Sequence, residues 1–405
     1  MERFIGVLGV LVLLVVAYLL SNNRKKIDYA IILKGFGLQI AFAFIILKTP
    51  VGLPFFKFFD LAINKLLSYA DKGGDFLFAS FLTGQVESPI INFAVRVLPT
   101  IIFFSALMAL LYHLGVMQFI IKGISKFVQK VLGTSGGETL SVVGSIFVGQ
   151  TEAPLLVKPF VKSMTKSELM TIMVGGFATV AGGVMAIYVK MLSHIPGIAG
   201  HLMAASIMSA PAAIMIAKII CPETEKSLTK GKVILEDEET DKNLVEAVAD
   251  GAIDGLKLAG NIAAMLIAIV GMVALIDGLL GLVDLSLSQI LGYAFHPLAY
   301  LMGVPWEEAG AFGTLLGEKI ALTELIAYKD LSVLVNNNEI STRTAQIASY
   351  ALCGFANFAS IGIQIGGIAG IAPNQKNKVA KLAFKAMIGG ALASWITACI
   401  AGIIL

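Results

Sequence analysis

The sequence predicts an all-α polytopic membrane protein with eight transmembrane helices, two re-entrant helical hairpins in an inverted repeat, and interfacial amphipathic helices. Three observations lead there. First, 57% of the 405 residues are hydrophobic and only 14% are charged, whereas a soluble domain carries about 25% charged residues. Second, crossing hydrocarbon takes about 20 residues of apolar helix. Eight runs meet that length: 3–21, 28–47, 92–115, 167–191, 198–220, 258–282, 345–371 and 380–404. Third, Thr-Glu occurs twice in apolar surroundings, in Gln150-Thr151-Glu152-Ala153-Pro154 and in Leu322-Thr323-Glu324-Leu325. Each copy precedes a matching small-residue segment, 176–181 and 354–359. Duplicated, interrupted apolar segments of this kind mark an inverted repeat with a site at its interface.

Each element follows from local chemistry. The first run has its positive cluster, Arg24-Lys25-Lys26, behind it, and no small-residue cleavage site follows. It reads as a membrane helix with its N-terminus outside rather than as a leader. Segments 53–71 and 116–132 set Lys57, Asp60 and Lys65, and Lys122, Lys126 and Lys130, against apolar faces. They read as helices lying along the interface. In 138–164, two apolar arms too short to cross flank a Gln-Thr-Glu tip. Pro154 lacks an N–H and suits the first turn of a new helix. Segment 306–336 repeats the plan with Gly313, Gly317 and Glu324. Irregular backbone survives at membrane depth only where protein or water satisfies it, so both tips are expected to line a cavity.

The first hairpin is expected to enter from the cytoplasmic side and the second from the outer side. Acidic residues in 236–257 read as a solvated helix leading into the sixth span. Lys and Arg concentrate in 22–27, 116–166, 221–257 and 372–379, and none falls in 192–197. This places both termini outside. Lys57, Lys65, Lys72, Lys319, Lys329 and Arg343 fall on the outer side in this scheme. The chain divides into 1–132 (scaffold and oligomerisation), 133–235 (first hairpin with spans four and five) and 236–405 (sixth span, second hairpin and the last two spans).

A net charge of +3 is too small to suggest nucleic acid as a partner. Cys221, Cys353 and Cys399 and the four histidines show no metal-ligand spacing, and no Ser or Cys has an evident His partner. The chain therefore does not read as an enzyme. Carboxylates inside a membrane are costly and need a role. Glu152 and Glu324 either brace lysines, for which Lys158 and Lys319 are candidates, or they serve a solute. When ionised, they can accept hydrogen bonds from vicinal sugar hydroxyls. When desolvated, either becomes a candidate proton carrier. Gln150 and Thr151 add an amide and a hydroxyl, which suit the edge of a heterocyclic base.

Asn357 and Ser360, three residues apart, share one side of a helix, where they either serve a ligand or join helices. Phe355 offers an aromatic face to a planar ligand, or fills core. Ser145, Val148, Thr179 and Val180 supply hydroxyls and carbonyls, the oxygen donors a small hard cation takes.

These residues resemble the concentrative nucleoside transporter family. Gly149-Gln150-Thr151-Glu152-Ala153-Pro154-Leu155 is similar to its first-hairpin signature. Residues 317–328 resemble its second, Gly-x-Lys followed by Asn-Glu-Phe-Val-Ala, and Cys353-Gly354-Phe355-Ala356-Asn357-Phe358-Ala359-Ser360-Ile361 resembles its third. The resemblance spans the chain. It implies a homotrimer in the bacterial cytoplasmic membrane that imports nucleosides by cation symport. No cofactor is implied beyond the coupling ion, Na+ or alternatively H+. A passive nucleoside facilitator is the third reading.

By resemblance, Gln150, Thr151 and Glu152 lie at the base and Glu324, Asn357 and Ser360 at the ribose, while Gly149, Val184 and Phe355 complete the substrate-binding set. Ser145, Val148, Thr179 and Val180 form the sodium shell. Three positions depart from the family pattern. Thr323 replaces the usual Asn, Leu325 the usual Phe, and Ser145 stands where sodium-coupled members carry Asn, which removes an amide oxygen from that shell.

Overall fold

A computed structural model describes residues 2–50, 52, 54–65, 67, 98–230 and 243–405. Helices occupy the described part of every predicted span. They are α1 (Glu2–Leu19), α2 (Tyr29–Lys48), α3 (Leu98–His113), α4 (Val116–Leu132), α5 (Gly136–Gly144), α6 (Lys166–Ala178), α7 (Gly182–Met191) and α8 (Ile198–Ile220). They continue with α9 (Leu244–Leu280), α10 (Leu287–Leu301), α11 (Trp306–Ala321), α12 (Glu324–Asn336), α13 (Thr342–Leu352), α14 (Phe358–Ile371) and α15 (Lys376–Ile404). Residues 54–65 are helical, as expected for the first interfacial segment. Parts of the predicted elements, 68–71, 92–97 and 236–242, lie outside the described residues, as does Lys72.

Among the described residues, four helical segments are long and apolar enough to cross a bilayer: Tyr29–Lys48, Lys166–Met191 (α6 with α7), Ile198–Ile220 and Pro373–Ile404. The α3–α4 pair bends by 75° at its junction, which turns α4 away as the interfacial reading requires.

The order of elements repeats. A helix (α3 or α9) leads to a second helix (α4 or α10), a hairpin, a broken helix (α6–α7 or α13–α14) and a long closing helix (α8 or α15). The hairpins enter from opposite faces. On one face, Asn22 N donates to Ile220 O, Thr165 Oγ1 to Glu223, and Gln375 Nε2 to the carbonyls of Val161, Lys162 and Met164. The root of the first hairpin joins this face, where Gly136 N donates to Thr229 O at 2.9 Å. The root of the second hairpin lies at the other end of α15. There Arg343 donates to Gly303 O and Gly402 O, and Ser341 to Glu308. The four segments assigned to one side by their positive charges each contribute to the first face.

Three elements differ from the sequence reading. Helix α10 was not expected; its start is written in the capping box Ser286–Gln289, which closes in the structure. The return arm of the first hairpin is a 3₁₀ turn, Ala153–Val157, followed by the short helix Lys158–Val161. Pro154 and Pro159 each remove a donor, so no long α-helix forms there. Helix α9 runs unbroken for 37 residues, about 55 Å at 1.5 Å per residue. The sixth span is therefore the far end of a helix that projects beyond a bilayer core about 30 Å thick.

The two breaks meet. Gly354 has φ +103°, a conformation L side chains avoid, and its Cα faces the backbone of Phe177 and Ala178 at the end of α6. Gly390, midway along α15, packs against the same two residues. The ends of α6 and α13 thus cross near the middle of α15.

Candidate functional site

Helix α14 starts inside the break. Asn357 is its N-cap, and the side-chain oxygen accepts from Ser360 N at 2.8 Å. That fixes the amide, and its Nδ2 donates to Glu324 Oε2 at 2.8 Å. Glu324 is the first residue of α12, whose N-cap Thr323 accepts from Ile326 N. Its other oxygen, Oε1, accepts from the Tyr188 hydroxyl at 2.8 Å. Tyr188 comes from α7 and stacks on Tyr328 at 4.2 Å, and Tyr328 in turn donates to Ser349 O. The buried carboxylate therefore sits at the N-terminus of its own helix and beside that of a second, both of which favour negative charge.

Neither candidate lysine braces it. Lys319 donates instead to Ala351 O, Cys353 O and Ser394 Oγ. Although it was counted with the outer charges, Lys319 is fully buried. Lys158 is exposed on the opposite hairpin.

Two turns along α14 from Asn357, about 10 Å, Gln364 Nε2 donates to Gln150 Oε1 at 3.1 Å and to Met173 O at 3.0 Å. Gln364 Oε1 is buried without a hydrogen-bond partner among the described residues. The Thr151 methyl lies opposite Gly367 on the same helix. The tip of the first hairpin and Glu324 of the second are thus brought to one helix, α14. Glu152 is exposed, and its carboxylate folds back over Gly149, where a Cβ would overlap it. Phe355 is half-buried and Ser360 is buried. Val184 is buried at the start of α7, its N–H bonded to Ala181 O.

The candidate cation residues gather on the first-repeat side. Helices α5 and α6 start on the same face and touch where Val142 packs on Gly175. About one turn further in, Ser145 Oγ donates to Val142 O at 2.7 Å and Thr179 Oγ1 to Gly175 O at 2.9 Å. Both hydroxyls keep lone pairs, and Val148 and Val180 flank them in sequence. This is a neutral oxygen set, suited to a monovalent cation as cargo.

Sequence reasoning missed Tyr188 and Gln364. Each lies four residues after a chosen residue, Val184 and Ser360, on the same helix face. A lone amide in the apolar helix Phe358–Ile371 was a readable signal. Replacing Tyr188 by Phe keeps the stack on Tyr328 and deletes one donor to a charged group. Substrate affinity is expected to fall about tenfold, as read by calorimetry on purified protein.

Two inverted repeats, each with a broken helix and a hairpin, holding polar groups at their crossing, define a secondary-transporter architecture. Family models agree along the chain. "Na+ dependent nucleoside transporter N-terminus" matches residues 8–81, "Nucleoside recognition" matches 94–195, and "Na+ dependent nucleoside transporter C-terminus" matches 201–402. Nucleoside permease NupC of Helicobacter pylori is 40% identical over 98% of this chain and 97% of its own. Mouse sodium/nucleoside cotransporter 1 is 38% identical over 100% of this chain and 64% of its own. The solved structure of CNTnw in an inward-facing substrate-bound state is 40% identical, covers 100% of this chain and 98% of that one, and superposes with a TM-score of 0.90. The chain belongs to the concentrative nucleoside transporter family, a family of multi-pass membrane transporters and permeases, not enzymes.

Proposed function

We propose that this protein imports nucleosides across the bacterial cytoplasmic membrane by cation symport, with sodium as the coupling ion. One observation carries the reading. Glu324 is a buried carboxylate held by the neutral donors Tyr188 and Asn357 rather than by a lysine, so its negative charge stays available to hydroxyl groups. The ribose lies at Glu324, Asn357 and Ser360, with Phe355 against it. The base lies toward Gln150, Thr151 and Glu152, bordered by Gly149 and Val184. The separation along α14 suits one sugar plus one base. The working form is a homotrimer with both termini outside, and residues 1–132 form its scaffold. The first hairpin with spans four and five (133–235) and the second hairpin with the last two spans (within 236–405) form the two transport repeats.

A specific observation favours protons as the alternative ion. Ser145 supplies only a hydroxyl, already donated to Val142 O, where sodium-coupled members of the family carry an amide. Proteoliposomes with sodium and proton gradients imposed separately decide between them. The expected result is uridine accumulation above equilibrium with an inward sodium gradient at equal pH on both sides. Accumulation with the proton gradient alone assigns protons, and equilibration without any gradient makes the protein a facilitator.

A further inference from the structure

Lys319 has no role in the site described so far, yet it is one of the largest fully buried side chains of the protein, at 0% exposure. A buried ammonium is costly unless all its donors are met. Lys319 meets all three: Ala351 O at 2.8 Å, Cys353 O at 3.0 Å and Ser394 Oγ at 2.8 Å. Ser394 gives its own proton to Ala391 O, so its lone pair faces the lysine. Two of the three acceptors are carbonyls at the C-terminal end of α13, where the partial charge of a half-helix is negative. The next residue is Gly354, at φ +103°, and three residues further on is Asn357, which holds Glu324.

The two breaks are not alike in this respect. At the end of α6, the C-cap Thr179 returns its hydroxyl to Gly175 O, and Ser145, at the end of the neighbouring α5, returns its own to Val142 O; among the described residues no lysine ammonium sits on that helix end. The first repeat thus leaves its helix end to neutral oxygens. The second has a covalently tethered ammonium there.

We infer that Lys319 is a positioning residue: its ammonium pins the unwound stretch Cys353–Asn357 so that the Asn357 amide meets Glu324 and, through it, the solute. The inference rests on the nucleoside reading for its functional half only. It explains why a lysine stands three residues from the hairpin tip without pairing with the nearby glutamate.

Hydrogen exchange on purified full-length protein tests the structural half without any ligand. In Lys319→Met, amides of residues 351–360 are expected to exchange about tenfold faster, while those of α8 stay as in the parent. Calorimetry with uridine tests the functional half. Lys319→Met is expected to weaken binding about tenfold. Combined with Asn357→Ala, it is expected to be no weaker than the worse single variant, because both act through one contact. Ser394→Ala keeps the amine and removes one acceptor. It is expected to show the same pattern at smaller amplitude, and it decides the matter if Lys319→Met does not fold. Unchanged exchange at 351–360 overturns the inference, as do losses that multiply in the double variant. Failure of the parent protein to bind uridine removes the nucleoside reading instead, and leaves exchange to judge Lys319.

Discussion

Glu324→Gln is expected to lower uridine uptake about a hundredfold, the loss of two charge-assisted hydrogen bonds at about 1.5 kcal/mol each. The substitution keeps size and shape, so the effect isolates charge. In the parent, Oε1 accepts from Tyr188 and Oε2 from Asn357. A glutamine amide must turn its NH₂ toward one of those donors, whichever way it is oriented. It also loses the negative charge that strengthens bonds to the solute's hydroxyls. Folding should survive, because removing an unpaired buried charge relieves desolvation. The measurement is uptake into proteoliposomes alongside elution of the purified variant from a sizing column. Normal uptake by a well-folded variant would remove Glu324 from the site and with it the main support for the transport reading.

That residue was legible because an acid in apolar sequence has few explanations. The eight spans were legible for the same reason, since hydropathy and length decide them. The breaks were legible from the small-residue runs 176–181 and 354–359, and the structure places them at 179–181 and 353–357. Partnership was not legible. Lys319 stands five residues before Glu324 and invites a salt bridge, but the turn between α11 and α12 carries it to the end of α13 instead. Tyr188 lies 136 residues from Glu324 in sequence, and Gln364 lies 214 residues from Gln150. Such pairs depend on which helices cross, which periodicity does not encode. Helix α10 was overlooked because its run, broken by His296 and Pro297, is too short to span and carries too little charge to look interfacial.

The root of the first hairpin gives the largest expected stability effect. Glu138 closes a capping box with Ser135 through Oε1, at 2.9 Å from Ser135 N, and its Oε2 lies 2.7 Å from Lys218 Nζ. Both side chains are almost wholly buried, with 4% and 2% exposure for Lys218 and Glu138. The lysine also donates to Ser167 Oγ at 2.9 Å, and Glu223, 30% exposed, stands 3.9 Å away. Glu138→Gln preserves the cap, since glutamine serves at this position of the box. It leaves an ammonium in a dry site with a distant, half-solvated counter-charge. Breaking a buried pair in this way costs about 3–5 kcal/mol, and Glu223 should hold the loss near the lower bound.

The double variant Glu138→Gln with Lys218→Met discards both charges and is expected to recover most of the stability, because the desolvation cost leaves with the ion. Melting followed by size-exclusion in detergent should therefore rank the parent and the double variant together, with the single variant well below. Uptake should follow the same order. The hairpin tip that carries Gln150 and Thr151 to α14 is rooted in this pair, and loosening the root lets the tip leave Gln364. A single variant that melts with the parent would mean that Glu223 already neutralises Lys218, and that the cap and the bonds from Gly136 and Gly137 to Thr229 hold the hairpin without the ion pair.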